Sequence, residues 1–308
     1  MKGKNSLWKE IKHNYFFYFL AIPGIIALIL FSYLPMAGIY VAFENYNYQD
    51  GLFGSEFIGF KNFEFFFANW DNALRATRNT LVMNIGSIVG GTVLNVAVAI
   101  ILGEIGRDKF RKTSQTIMLF PHFLSWIVVG ALSEVLLATE GGLINQLLVL
   151  LGREPIVWNM QPEYWWFIII ITTIWKGFGY GSIVYYSALM GIDTSLYEAA
   201  EIDGAGRWKK ITSITLPLLK PTIVILFLLN IGGILKGNLD QIMGMTKLNP
   251  LLFETTDTIT TFVYRTTTQN GQFGMASAVN LYQSIFGFVF VLTANLIVKK
   301  FDPDYSLF

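Results

Sequence analysis

Long uncharged stretches separated by short charged clusters dominate the chain. His13–Phe43, Asn79–Gly103, Thr113–Ser133, Pro221–Leu235 and Thr266–Val298 carry no Asp, Glu, Lys or Arg, and Tyr164–Ile192 carries one, Lys176. Roughly 20 apolar residues cross a hydrocarbon core as a helix, so the pattern predicts six spans. The fifth stretch is short and is extended back to Pro217, with Lys220 snorkelling at the membrane face. The first is too long for the apolar region of a signal peptide and lacks a small-residue cleavage site, so it is expected to stay as a span. Segment 44–78 mixes acids with aromatics between Phe57 and Trp70, as an interfacial helix would, serving either as a docking surface or as a lid that seals the bundle edge, and the polar segment 236–273 is long for a simple connector.

Composition agrees with this picture. Hydrophobic residues make up 53% of the 308, charged residues only 14%, and the mean hydropathy is +0.50. An ordinary soluble domain carries about 25% charged residues. The net charge of +1 gives no basic field for nucleic acid. There is no cysteine, which excludes disulfides and thiolate metal sites, and the two histidines, His13 and His122, lie far apart in the chain. Cations set the orientation. The N-terminal segment, the 104–112 and 193–220 loops and the tail together hold twice the Lys and Arg of the opposite side, so both termini are expected in the cytoplasm.

The cytoplasmic stretch Asp193–Pro221 carries the most information. Asp193 or Thr194 can cap a short helix over Ser195–Ile202, Gly204 and Gly206 can bend the chain after it, and Arg207–Ile214 can form a second helical piece. Pro217 is expected to push Leu216 out of helical geometry at the start of the next span. Acids (Asp193, Glu198, Glu201, Asp203) precede the bend and bases (Arg207, Lys209, Lys210) follow it.

Glu198-Ala199-Ala200, three residues, Gly204, nine residues, Ile214, one residue and Leu216-Pro217 resemble the EAA loop of ATP-binding-cassette importer permeases. Further segments, among them YFLAIPGIIALILFSYLPMAGIY, FIGFKNFEFFF, LFPHFLSWIVVG and IWKGFGYGSIVYYSALMGID, look like the oligosaccharide and polysaccharide branch related to the maltose transporter membrane subunits. This resemblance spans essentially the whole chain. It implies an all-α, type I importer permease fold with six transmembrane helices, as one permease domain over 1–308 whose core with the EAA loop covers about 75–300. Glu198, Ala199, Ala200, Asp203 and Gly204 would dock a separate ATPase. It also implies a bacterial cell-membrane location and, as partners, a different second permease, two copies of a cytoplasmic ATP-binding subunit and an extracellular solute-binding lipoprotein. The chain has no G-x-x-x-x-G-K-[ST] run. It is therefore expected to bind no cofactor and to have no enzymatic site, with ATP and Mg held by the partner subunits. The same architecture importing an amino acid, phosphate or polyamine is the alternative. A membrane enzyme or channel would need a catalytic cluster or a repeated polar filter, and the sequence has neither.

Polar positions within the spans supply pathway candidates. Lys176 costs about 2.5–3.5 kcal/mol at a helix centre on insertion scales; it either faces the substrate or pairs with Glu134 or a carbonyl. Lys176 and Tyr180 on the fourth span, Asn230 on the fifth, and Asn280 and Gln283 on the sixth are candidate lining residues. Asn238, Asp240 and Gln241 could form the outer mouth. Asn84, Asn95 and Asn295 are further polar span residues, each read as an interhelical hydrogen bond.

Overall fold

The computed structural model describes residues 4–68 and 70–306, and it is mostly helical. Its first half holds α1 (Lys4–His13), α2 (Tyr15–Leu28), α3 (Lys61–Ala68), α4 (Trp70–Glu104), α5 (Asp108–Phe123), α6 (Trp126–Leu136) and α7 (Leu143–Leu150). The second half holds α8 (Trp165–Leu189), α9 (Ser195–Ile202), α10 (Arg207–Lys210), α11 (Leu216–Ile231), α12 (Leu239–Thr246), α13 (Phe253–Thr256), α14 (Ile259–Asn270) and α15 (Phe273–Phe301). A short antiparallel pair joins β1 (Glu44–Asn45) to β2 (Glu56–Phe57), with Glu44 opposite Phe57. Five helical segments are long and apolar enough to cross a membrane: Tyr15–Phe43, Trp70–Glu104, Pro162–Leu189, Arg207–Ile231 and Phe273–Lys300. The pair α5 and α6 makes a sixth if counted as one span.

That pair covers the span expected over Thr113–Ser133, but with a sharp bend within it. The two helices meet at 95°. Pro121 sits in the last turn of α5, Leu124 and Ser125 are extended, and the Ser125 hydroxyl accepts the Val128 N–H at 3.3 Å to start α6 afresh. A proline that cannot donate followed by an N-cap serine ends one helix and begins another. The uncharged run Thr266–Val298 is likewise divided, because α14 ends at Asn270 and Gly271 turns the chain with φ +65°.

The expected break at Leu216 does not occur. Leu216 is helical (φ −64°, ψ −44°), and Arg207–Ile231 is continuous through a π turn at Ile211–Thr215. The Leu216 N–H bonds the Ile211 carbonyl five residues back, so the wider turn accommodates the ring and missing donor of Pro217. The first span repeats the device: a π turn at Ile29–Tyr33 precedes Leu34-Pro35.

The chain forms two compact units. One gathers the chain up to Ala68 with Thr266–Leu281. Within it Phe43 packs edge-on to Phe60 at 5.5 Å, and Asn62 donates to the Ala42 and Glu44 carbonyls at 3.0 and 2.8 Å. The helix expected in the aromatic segment is α3, and the side chains at 65–67 lie outside the described residues.

The other unit holds the chain on to Arg265 together with Tyr282 onward, and α4 and α8 are its centre. Small residues on α4 meet branched ones on α8: a Cβ added at Gly86 would lie 2.6 Å from Ile170 Cδ1, and one at Gly90 2.8 Å from Ile174 Cδ1. The G-x-x-x-G of the second span is therefore an intramolecular packing face. Residue numbers rise together along both helices, so α4 and α8 run parallel. Met83, Trp165, Ile169, Ile242, Met245 and Leu252 form the core at one end; Val96, Ala99 and Tyr185 form a second cluster.

Polar side chains bind segment 236–265 to this core. Asn79 is buried yet fully engaged: its amide donates to the Glu254 and Asp257 carbonyls at 3.0 and 2.9 Å and accepts from Trp166 Nε1 at 3.2 Å. The fully buried Asp257 carboxylate takes two bonds from Arg265 at 2.8 and 2.9 Å, one from Arg75 at 3.3 Å and one from Thr261 at 3.0 Å. A buried carboxylate is tolerated only when charge and lone pairs are matched in this way. On the other flank, α6 packs on α12 through facing glycines, where a Cβ on Gly130 would lie 2.0 Å from the Gly244 carbonyl oxygen.

Candidate functional site

Two features stand out: a bent loop between α8 and α11, and a polar cavity along α4 and α8. In the loop, the Asp193 carboxylate accepts the Ser195 N–H at 3.0 Å, which holds its pKa below the usual carboxylate range, and α9 follows over the expected Ser195–Ile202. Glu198 and Ala199 are exposed and Ala200 is half-buried. The helix ends where Gly204 adopts φ +75° and the Ala205 N–H returns to the Ala200 carbonyl at 2.8 Å. This six-to-one bond with a left-handed glycine is a Schellman ending, and it turns Asp203 and Gly204 to solvent. Across the bend Lys210 Nζ meets Glu201 Oε2 at 2.8 Å and holds the Glu201 carboxyl below its ordinary pKa. Tyr197 Oη and Thr215 Oγ1 are 3.0 Å apart, tying α9 to the base of α11. Two apolar side chains are left almost bare beside the acids and bases, Ile202 (87% exposed) and Trp208 (76%).

The cavity has two adjacent parts. An inner part of about 520 Å3 is lined by the polar side chains of Asn84, Ser87, Thr92 and Asn95 on α4, Thr173, Tyr180 and Tyr185 on α8 and Asn230 on α11, and over the larger share of its surface by apolar groups that include Ile88, Ile174, Phe178, Val184 and Leu226. An outer part of about 460 Å3 shares Asn84, Ser87 and Thr173 with it and continues to Lys236, Asn238, Asp240, Gln241 and Thr258. No charged side chain lines the inner part. Volumes of this order hold small organic molecules.

The structure distributes the expected pathway residues unevenly. Tyr180 and Asn230 line the inner part, although Asn230 also donates to its own helix at Leu226 O (2.8 Å). Asn238, Asp240 and Gln241 line the outer part. Asn238 caps α12, accepting the Gln241 N–H at 3.1 Å. The Gln241 side chain is buried, and its amide donates to Ile169 O, Thr172 Oγ1 and Thr173 Oγ1 at 3.0, 3.1 and 2.9 Å. Gln283 is buried and donates to Leu235 O at 2.6 Å, Asn280 is exposed on α15, and neither lines these two parts. Lys176 donates to His122 O at 2.6 Å, while Glu134 pairs with Lys247 at 2.8 Å.

Sequence reasoning did not assign Asn84, Ser87, Thr92, Asn95 or Thr173 to the passage. Their signal was available: 84, 87, 91 and 95 are small or polar at helical spacing within the uncharged part of α4. Among the described residues no group of three or more His, Asp or Glu is placed to hold a metal.

Apolar helices around a hydroxyl- and amide-lined cavity make a multi-span membrane transport component. The chain belongs to the family described as binding-protein-dependent transport system inner membrane component, which it matches over residues 95–305. It is 36% identical over 303 residues to the polygalacturonan/rhamnogalacturonan transport system permease protein YteP of Bacillus subtilis (strain 168), covering 98% of this chain and 93% of that one. It is 29% identical to the trehalose/maltose transport system permease protein MalF of Thermococcus litoralis, covering 96% and 97%. Its fold matches a chain of a bacterial ABC transporter involved in the import of the acidic polysaccharide alginate, with a TM-score of 0.86 at 34% identity, over 96% of this chain and 99% of that one. A second structure of a bacterial alginate ABC transporter, in complex with its alginate pentasaccharide-bound periplasmic protein, matches with a TM-score of 0.85.

Proposed function

We propose that this chain is the permease subunit of an ATP-driven importer and forms part of the translocation pathway for a carbohydrate delivered by an extracellular solute-binding protein. The observation that carries this reading is the pair of adjacent cavities whose linings share Asn84, Ser87 and Thr173. A glycan stripped of water without partners for its hydroxyls costs several kcal/mol; the amides and hydroxyls set among the apolar lining groups supply such partners. The transport systems named above, for polygalacturonan, trehalose or maltose and alginate, support a carbohydrate over an amino acid, phosphate or polyamine.

The chain acts as one permease domain with both termini in the cytoplasm and pairs with a second, different permease. Two ATP-binding subunits hold ATP and Mg and supply the motor. The segment with Glu198, Ala199, Ala200, Asp203 and Gly204 seats on one of them, and closure of the ATPase pair is passed through α9 to the spans, opening the passage alternately to each side. Lys176, Tyr180, Asn230, Asn238, Asp240 and Gln241 contact the sugar on its way. The test is uptake by a strain lacking this chain, with and without the restored gene, across radiolabelled oligosaccharides, amino acids, phosphate and polyamines. Restored uptake of an oligosaccharide alone is expected; restoration of a non-sugar solute alone would overturn the reading.

A further inference from the structure

Lys176 lies in α8 between apolar turns, where a lysine without compensation is expensive and marks function by default. The acid closest to hand from the sequence, Glu134, is engaged by Lys247 at 2.8 and 2.9 Å. Among the described residues no carboxylate comes within 4.0 Å of the Lys176 ammonium. Its contacts are neutral: the His122 carbonyl at 2.6 Å and the Trp126 ring, whose centroid is 5.4 Å away. One carbonyl takes one of three ammonium protons, and the side chain is only half-buried. A full positive charge with two free donors is therefore left beside the break between α5 and α6.

Its surroundings suit one kind of visitor. Gly177, the next residue, and Tyr180, one turn on, both line the inner cavity. Tyr180 is 57% exposed and stacks on His122, with centroids 5.0 Å apart and planes 13° from parallel. A flat aromatic surface next to an unpaired ammonium matches a sugar ring that bears a carboxylate. The walls of the inner cavity hold no charge of their own, and Lys176, which does not itself line the cavity, sits in α8 next to Gly177 and one turn from Tyr180, which do. Farther out, Lys236 and Asp240 both line the outer part without pairing to each other within 4.0 Å.

We infer that Lys176 is the counter-ion for a carboxylate on the passing glycan, so that the substrate is an oligosaccharide containing uronic acid residues; this rests on the reading of the chain as a glycan permease. The competing occupant of the charge is an acidic side chain of the second permease.

The test uses the complete transporter in cells, with radiolabelled oligogalacturonate and oligomannuronate as anionic probes and galacto- and malto-oligosaccharides as neutral ones. Assembled complex is quantified beside uptake for Lys176→Arg, Lys176→Gln and Lys176→Glu. Uronate uptake by the wild type is expected, near-normal uptake with arginine, a fall of about tenfold with glutamine and a larger one with glutamate, all at unchanged assembly. Wild-type uptake with glutamine, loss of assembled complex that arginine rescues, or a wild type that carries only the neutral sugars would each overturn the inference while leaving the glycan permease in place. A wild type that carries neither class would overturn both.

Discussion

At Gly204 the backbone turns left-handed, and a Cβ built there meets nothing within 4 Å. Substitutions at this position therefore act through φ alone. Asparagine tolerates the left-handed region, alanine pays about 1–2 kcal/mol there, and β-branched valine more. Coupling, measured as solute imported per ATP hydrolysed in the assembled transporter, should fall in the order Gly, Asn, Ala, Val. Equal coupling in Gly204→Val and wild type would show that the bend is not needed. The first half of the loop, α9 and the turn at Gly204, was legible in the sequence, because capping and glycine rules are local, whereas its second half runs on into α11 without the expected break. The passage was less so. Gln241 was expected at an open mouth, yet three donations to α8 bury its side chain, and of the partners weighed for Lys176 the structure shows a carbonyl, that of His122, and not Glu134. Which polar group meets which depends on helix registry, which no local rule supplies.

Helices show the same division between local and tertiary control. Uncharged runs located the spans, since their hydropathy is a property of the stretch itself. The break between α5 and α6 and the smooth passage through Leu216-Pro217 reverse the local expectation in opposite directions. At Pro121 a serine cap and the packing of α6 on α12 favour a 95° corner; at Pro217 and Pro35 a π turn lets the helix continue. The close approach of α6 and α12 predicts that Gly130→Val disrupts this corner, since its Cβ would fall 2.0 Å from the Gly244 backbone oxygen. Overpacking of this kind typically costs about 1–3 kcal/mol. The purified Gly130→Val protein should show a lowered thermal midpoint in detergent, whereas Gly91→Ala, with open space at its Cβ, should not. Equal midpoints for the two variants would contradict the packing described.

For the molecule as a whole, parallel α4 and α8 place Glu104 and the bent loop at one end, where Arg207 approaches Glu104 at 3.8 Å. The excess of Lys and Arg in the 104–112 and 193–220 loops is the ground for expecting that end in the cytoplasm. Because the chain has no cysteine, single cysteines report sidedness cleanly. In intact spheroplasts Gln49→Cys and Arg153→Cys should react with an impermeant maleimide, while Lys112→Cys and Thr212→Cys should react only after lysis. Reaction of Lys112→Cys from outside would invert the topology.

The same background gives access to the central claim, that solute passes along the wall shared by the two parts of the cavity. Ser87 belongs to both, and its cysteine variant can be treated with a small cationic methanethiosulfonate during transport. Modification of Ser87→Cys is expected to abolish uptake of the imported oligosaccharide, and saturating oligosaccharide should slow the modification. Complete modification of Ser87→Cys with uptake unchanged would place the route elsewhere and contradict the account.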